Sequence, residues 1–172
     1  MNISFRKASL GLALALVAGS AFAATVNDNL NVTASVASSC KITSVNAISF
    51  GAYDPAVANA TTPADAAGAI NVVCTKGGAV AIQLDQGVQA KAASTCLAPA
   101  RQMKSGTDLL GYDVYSDTGR TTLWGCDATN QVSFTSTGAL APTTFATYGR
   151  VPAGQDVPSG SYADTIVVSV TF

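Results

Sequence analysis

Four cysteines are the residues of this 172-residue chain with the most evident capacity for chemistry. They could ligate a metal ion or form disulfides. Zinc sites usually contain closely spaced cysteines or histidines, whereas this chain has no histidine and no C-x-x-C pair. The spacing therefore predicts no metal site and two disulfides, for which we favour sequential pairing among the three possible connectivities. The four residues are Cys40, Cys74, Cys96 and Cys126.

The acidic residues offer little for acid–base catalysis. All ten are aspartates, and no histidine is present to act as a general base near neutral pH. Asp113 and Asp117 could form a carboxylate pair or a calcium site, but aspartates in a hairpin usually accept backbone hydrogen bonds. No G-x-S-x-G motif marks a nucleophilic serine. We therefore expect no enzymatic activity, no cofactor and no small-molecule substrate.

The composition predicts one globular domain without a polyanionic partner. Hydrophobic residues make up 48% of the chain and charged residues 11%, with a net charge of −1. Binding to nucleic acid is therefore not expected. Trp124 and the five tyrosines are expected in the core and on strand surfaces rather than in a sugar-binding platform.

Residues 1–23 have the pattern of a secretory signal peptide. Two basic residues precede an apolar run, residues 10–17, that is too short for a lasting membrane anchor. The small residues Ala21 and Ala23 mark a cleavage site, so the mature chain would begin at Ala24. No later segment is apolar over the length of a membrane helix. An exported product would enter an oxidising compartment, which agrees with two disulfides.

Short runs of alternating apolar and polar residues predict an all-β fold. A hairpin is expected around residues 116–119, with Gly119 supplying a positive φ. Loops are expected over residues 54–67, 88–100 and 151–160, as between the sheets of a sandwich. The predicted strands include residues 70–74, 80–84, 112–115, 121–124 and 132–134.

The last predicted strand, residues 162–172, has an apolar face. Alternation places four apolar side chains on that face. No strand follows it in the sequence, so one edge of it should lack a partner. The four side chains are Ile166, Val168, Val170 and Phe172.

Residues 24–39 contain no glycine or proline and no other evident turn signal, so they should run extended. At roughly 3.3 Å per residue they reach about 50 Å, whereas a sandwich strand needs about 17–20 Å. Three interpretations compete: a frayed terminus, a single bent strand, and a strand that completes the sheet of another molecule. The apolar parity of this segment comprises Val26, Leu30, Val32, Ala34 and Val36, with Asp28 as its one exception.

Five ordered blocks of sequence resemble the spore coat protein U family, which includes the pilins of archaic, Csu-type chaperone-usher pili. The resemblance covers nearly the whole chain after the signal peptide. The blocks are residues 36–40 with 48–53 (ISFGAY), 70–77 (INVVCTKG), 101–106 (RQMKSG), 112–117 (YDVYSD) with 120–125 (RTTLWG), and 148–155 (YGRVPAGQ) with 160–165 (GSYADT).

The resemblance implies an incomplete immunoglobulin-like β-sandwich that lacks its last strand and exposes a groove of core side chains. In such pilins a periplasmic chaperone fills the groove first, and the N-terminal extension of a neighbouring subunit then replaces it at an outer-membrane usher. Residues 24–33 would be this donor-strand extension, and residues 34–172 the pilin domain, with Ala34 and Val36 in its first strand. The implied donor side chains are Val26, Leu30 and Val32, and the implied edge of the acceptor groove is Ile166, Val168, Val170 and Phe172.

The resemblance also implies a disulfide between Cys40 and Cys74. The second pair departs from the simplest family pattern, in which an aspartate follows the W-G dipeptide, because here Cys126 stands between Gly125 and Asp127. A Cys96–Cys126 bridge would attach the loop before residue 101 to the end of the hairpin and stiffen the fold.

We therefore expect a structural subunit that is secreted through the periplasm and polymerises into an extracellular pilus for adhesion and biofilm formation. Two alternatives stay open. One is a secreted spore-coat or surface-coat protein, and the other is a soluble carbohydrate- or surface-binding module.

Overall fold

The computed structural model describes residues 23–172. The predicted signal peptide therefore lies, apart from its last residue, outside the described residues. Within the described part the regular structure consists of eight β-strands, and no helix is present that could span a membrane. The strands are β1 (Cys40–Asn46), β2 (Ala64–Cys74), β3 (Ala79–Leu84), β4 (Arg101–Ser105), β5 (Asp108–Tyr115), β6 (Val132–Thr135), β7 (Thr143–Val151) and β8 (Val168–Thr171).

The strands form two antiparallel sheets, which confirms the predicted all-β sandwich. One sheet has five strands in the order β1-β2-β7-β5-β4, and the other has three in the order β6-β3-β8. Alternate residues of each central strand are buried, as the sequence pattern predicted for β2 and β3. The core lies between these inward faces and includes Ile70, Val72, Ile82, Leu84, Leu110, Val114 and Trp124.

Trp124 connects the two sheets at the centre of this core. Its side chain is 1% exposed, and its indole N–H donates to the carbonyl of Ile82 in β3 at 3.0 Å. Its own backbone N–H donates to Val114 in β5 at 2.9 Å. One residue therefore satisfies its polar groups in both sheets while its ring fills the space between them.

The predicted loop over residues 54–67 ends too late, because β2 begins at Ala64. Residues 64–67 pair with residues 148–151 of β7. On the outer face of this pairing, the Asp65 carboxylate accepts hydrogen bonds from the Arg150 guanidinium at 2.8 and 2.9 Å. The Ala-rich composition of the segment hid a strand that long-range pairing stabilises.

The turn after β5 also differs from its prediction. The residue with positive φ is Arg120, at 55°, and not Gly119. Residues 121–124 form no strand beyond a single bridge between Leu123 and Tyr115. The Asp117 carboxylate explains the change, because it accepts the backbone N–H groups of Thr121 and Thr122 and so closes the turn through a side chain.

Arg120 is held in this unusual conformation by contacts to β2 and β7. Its guanidinium lies 5.8 Å from the centre of the Tyr148 ring, and its Nε–H donates to the carbonyl of Gly149 at 3.1 Å. Its Nη1 lies 3.3 Å from the Asp65 carboxylate. A backbone conformation that costs energy for a non-glycine residue is thus offset by one cation–π contact and one ion pair.

Asp65 should make the stability of the domain depend on pH. The hydrogen bond from Arg150 lowers the pKa of Asp65 below its ordinary value of 3.8. Because the folded pKa is the lower one, this stabilisation is complete above pH 3.8 and is lost as the pH falls through the folded pKa. Asp65→Asn should therefore lower the free energy of unfolding at pH 7 by about 0.5 kcal/mol, since the pair is partly exposed. Urea unfolding from pH 7 to pH 2.5 should show this difference shrinking; a constant difference would contradict an ionic origin.

Contacts within the chain divide it into two units, Met1–Ser35 and Val36–Phe172. Residues 23–35 of the first unit form no regular structure, and all of them are exposed. In the second unit β1 begins only at Cys40, so the placement of Ala34 and Val36 in the first strand is wrong. The reason is that Cys40 pairs with Cys74, the last residue of β2, and beyond this pair the described chain is held only by hydrogen bonds of Ala37 and Ser39 to Thr75.

Candidate functional site

An open groove separates the end of β1 from the segment that leads into β8. Residues 45–48 with Phe50 form one side and residues 162–166 with Val168 the other, around a volume of about 400 Å³. Its floor is built from apolar side chains of both sheets. These are Ile70, Leu84, Met103, Tyr112 and Val114.

A second chamber of about 670 Å³ continues the groove. The two chambers share Ile48, Phe50, Met103 and Tyr162, so they form one elongated depression. The lining of the second chamber is more polar than that of the first and includes Asp54 and Ser159. No lysine or arginine is among the residues of the described chain that line either chamber, whereas Asp164 lines the first and Asp54 the second.

Residues 162–168, which form the second side of the groove, hydrogen-bond first to the five-stranded sheet and then to the chain that follows β3 in the three-stranded sheet. Ala163 exchanges two backbone hydrogen bonds with Lys104 of β4, at 2.9 and 3.2 Å. Val167 then bonds to Asp85, through its carbonyl at 3.1 Å and through its N–H to the carboxylate at 2.9 Å. The predicted single strand over residues 162–172 is therefore too long, because the chain crosses from one sheet to the other before β8 begins.

Regular pairing of the last segment is confined to β8, which pairs with β3 through residues 81–84. Within residues 23–172, no strand pairs with the other edge of β8. Unpaired N–H and C=O groups along such an edge favour addition of a further strand. The structure places Ile166 before β8, Val168 and Val170 within it, all half-buried, and Phe172 after it with 56% of its surface exposed.

A partly buried polar pair lines the groove at Asp164. The Tyr112 hydroxyl donates to the Asp164 carboxylate at 2.7 Å, and the other carboxylate oxygen accepts the Gln89 N–H at 3.1 Å. Burial and this hydrogen bond raise the pKa of the Tyr112 phenol. Sequence reasoning missed the pair, although an aspartate on the apolar parity of the last segment was a signal that could have revealed it.

Arg101 hydrogen-bonds to the backbone of Leu84, one of the residues that form the floor of the groove. It is 1% exposed, and its guanidinium donates to the carbonyls of Leu84 at 3.1 Å and Trp124 at 2.9 Å, and from Nε to Asp85 at 2.9 Å. Burial lowers the pKa of this arginine. It thus joins β4 to the end of β3. One of its acceptors belongs to Asp85, whose carboxylate accepts the N–H of Val167.

The four cysteines form two disulfides. Cys40 is joined to Cys74, which links β1 to β2, and Cys96 is joined to Cys126. The second bridge ties the loop before β4 to the segment after Trp124, where the Cys96 carbonyl also accepts the Asn130 side-chain amide at 2.8 Å. Within residues 23–172, no cluster of three or more potential metal-binding side chains occurs.

Asp113 and Asp117 lie in different environments. The backbone amide of Thr122 lowers the pKa of Asp117, whereas burial raises the pKa of Asp113. The Tyr115 hydroxyl donates to Asp113 at 3.3 Å. Each carboxylate thus has a partner of its own in the described chain.

The implied donor side chains lie on the first unit and point into solvent. Val26 is 91% exposed, Leu30 90% and Val32 85%. Monomeric proteins rarely leave such apolar side chains clustered on one segment without a partner for them.

Comparison with known proteins identifies the family of this chain. The Spore Coat Protein U domain matches residues 26–169, and Protein U of Myxococcus xanthus is 40% identical over 173 residues, which cover 96% of each chain. The chain belongs to the Spore Coat Protein U domain family. The family match begins at Val26, so it includes most of the exposed N-terminal segment as well as the sandwich.

A solved structure shares the fold of this Spore Coat Protein U domain. It is the chaperone–tip adhesion subunit pre-assembly complex from archaic chaperone-usher Csu pili of Acinetobacter baumannii. The similarity has a TM-score of 0.55 at 20% sequence identity and covers 80% of this chain. This chain spans 40% of the length of the chain it matches there. The comparison supports the immunoglobulin-like sandwich expected from the resemblance.

Proposed function

We propose that this protein is a structural subunit of an archaic chaperone-usher type surface fibre that polymerises by donor-strand exchange. The observation that carries the proposal is the presence in one chain of an unpaired β8 edge above an apolar groove and an exposed segment of alternating apolar residues. Each feature is unfavourable alone, because one leaves a sheet open and the other leaves apolar surface in water. The exposed segment of one copy would supply the strand and the apolar side chains that the groove of the next copy lacks.

Strand addition would supply both affinity and specificity. Main-chain hydrogen bonds to the β8 edge give affinity, and alternate side chains entering the groove give specificity. Donor side chains would come from the set Val26, Leu30 and Val32, facing Ile166, Val168 and Val170 on the acceptor. Full burial of one such side chain contributes about 1.5–3 kcal/mol.

The partners follow from this assembly mode. An unfilled groove needs a temporary occupant before assembly, so a periplasmic chaperone and an outer-membrane usher are the proposed partners besides neighbouring subunits. The product would be an extracellular fibre on the cell surface that supports adhesion and biofilm formation. The proposal assigns no catalytic residue, no cofactor, no nucleic-acid ligand and no small-molecule substrate.

The family description favours one alternative, a secreted structural coat protein. Such a coat could use the same strand exchange between subunits. Electron microscopy of cells with and without the protein distinguishes the two, since a pilus subunit gives thin surface fibres and a coat subunit gives a continuous layer.

Leu30→Asp should abolish assembly. A carboxylate at this position would enter an apolar groove without a partner, which should weaken each contact between subunits by several kcal/mol. Electron microscopy of cells producing the variant should show few or no fibres.

Asn29→Asp is the matched control, because it adds the same charge one residue away on the solvent-facing parity. Cells producing it should form fibres of normal length and number. Normal fibres from Leu30→Asp, or equal loss from both variants, would refute donor-strand exchange through this segment.

A further inference from the structure

Alternate residues of the N-terminal segment from Val26 to Val36 are apolar, with one charged exception, Asp28. It separates Val26 from Leu30 and Val32, which are otherwise equivalent in exposure. Its carboxylate accepts the backbone N–H of Asn29 at 2.8 Å, and this N–H is therefore engaged locally rather than free for a strand ladder. A strand inserted with Asp28 inside the groove would carry a charge into an apolar site.

The groove is unsuited to that charge. Among the described residues that line it, the ionisable carboxylates are Asp54 and Asp164, and no basic side chain is present to pair with Asp28. Insertion would thus combine desolvation of a carboxylate with repulsion from a second one. The aspartate should remain outside the groove.

The length of the first chamber, which the second chamber extends beyond Tyr162, defines what can enter it instead. On its second side, four half-buried positions alternate from Tyr162 to Val168, over about 20 Å at 3.3 Å per residue. Residues 30–36 span the same length and also present four inward positions, Leu30, Val32, Ala34 and Val36. Val36 belongs to this set because it is 84% exposed and precedes β1.

Side-chain size selects an antiparallel order. The groove is lined by apolar side chains beside Val168, whose partner in β3 is the buried Leu84, whereas four residues earlier the Tyr112–Asp164 pair puts a carboxylate into its lining. An antiparallel strand puts Leu30 opposite Val168 and the small Ala34 opposite Asp164. A parallel strand would instead place Val32 against the carboxylate.

We propose that Asp28 is the register stop of the donor strand: residues 30–36 enter the groove of a second copy, Asp28 stays beyond its end opposite Val170, and Val26 contributes little. This inference rests on the proposed function and refines it. It removes Val26 from the donor set and Val170 from the residues that face donor side chains, and it adds Ala34 and Val36 to the donors.

Two identical substitutions six residues apart test the stop. Val32→Asp should reduce the yield of sedimentable fibres by at least about tenfold, because the charge enters the groove, whereas Val26→Asp should leave it within about twofold. Equal losses from both variants would overturn the register stop.

Cysteine cross-linking tests the register directly in the full chain. Asp28→Cys combined with Val170→Cys should give a ladder of disulfide-linked subunits on a non-reducing gel, because opposed antiparallel residues lie within disulfide reach. Asp28→Cys combined with Ile166→Cys should not. Peptide mapping distinguishes the new bridge from the two natural disulfides.

The outcomes separate this inference from the proposed function. A bridge to position 166, or to neither position, in fibres that still depend on Leu30 would refute the register stop and leave donor-strand exchange standing. Fibres that persist with Leu30→Asp would refute both.

Discussion

Deletion of residues 24–32 should leave a folded subunit that is never incorporated into a fibre behind another subunit. The deleted residues lie in the first unit of the chain and take no part in strands β1–β8. The sandwich, both disulfides and the groove therefore remain, while the segment proposed to fill the next groove is gone. Co-purification with the chaperone should be retained, and fibres should be absent by electron microscopy.

A control for the deletion keeps the inward residues and changes only the outward ones. Replacing Asn27, Asn29 and Asn31 with serine preserves chain length and the apolar parity, so fibres should form. Normal fibres from the deletion variant would contradict the donor role of the segment. Loss of chaperone binding would instead show that the segment is needed for folding.

Arg101→Leu should lower the free energy of unfolding by about 3 kcal/mol, one of the largest effects expected from a single substitution. The leucine fills part of the volume but donates no hydrogen bonds to the carbonyls of Leu84, Asp85 and Trp124. Those buried acceptors would lose their partner. Removal of the buried positive charge offsets only part of this cost.

Lys104→Leu is the matched control, because Lys104 lies on the same strand with its side chain exposed. Its effect on the free energy of unfolding should stay within about 0.5 kcal/mol. Urea unfolding of the two purified variants and the wild-type chain gives both values. A small effect from Arg101→Leu would show that the three carbonyls find other partners and that the arginine is not needed to join β4 to β3.

Alternation of side chains was sufficient to predict the strands that pack on both sides of the core. In β3, Val80, Ile82 and Leu84 alternate with less buried residues, and the structure buries the predicted face. Such a pattern is readable because it depends only on which face meets the core. The family resemblance then supplied the sandwich architecture.

The features that sequence reasoning missed depend on residues far apart in the chain. The crossing of residues 162–167 between sheets depends on Lys104 and Asp85, and the conformation of Arg120 depends on Asp65 and Tyr148. Local propensity carries no information about such partners. Arg101 was visible in the sequence only as part of a matching block, since its role requires three carbonyls from two other segments.

The position of the Cys40–Cys74 disulfide has a mechanical consequence for a fibre. In the proposed fibre, a tensile load passing along residues 36–38 would meet the hydrogen bonds between Ser39 and Thr75 and then Cys40, the first residue of the edge strand β1. If only hydrogen bonds joined β1 to β2, the load would break these bonds one pair at a time and separate β1 from the sheet. The covalent link passes the load directly to β2, which is held between β1 and β7, so rupture would require shearing of an interior strand. The bridge thus protects one edge strand of the five-stranded sheet at the point where the load would arrive.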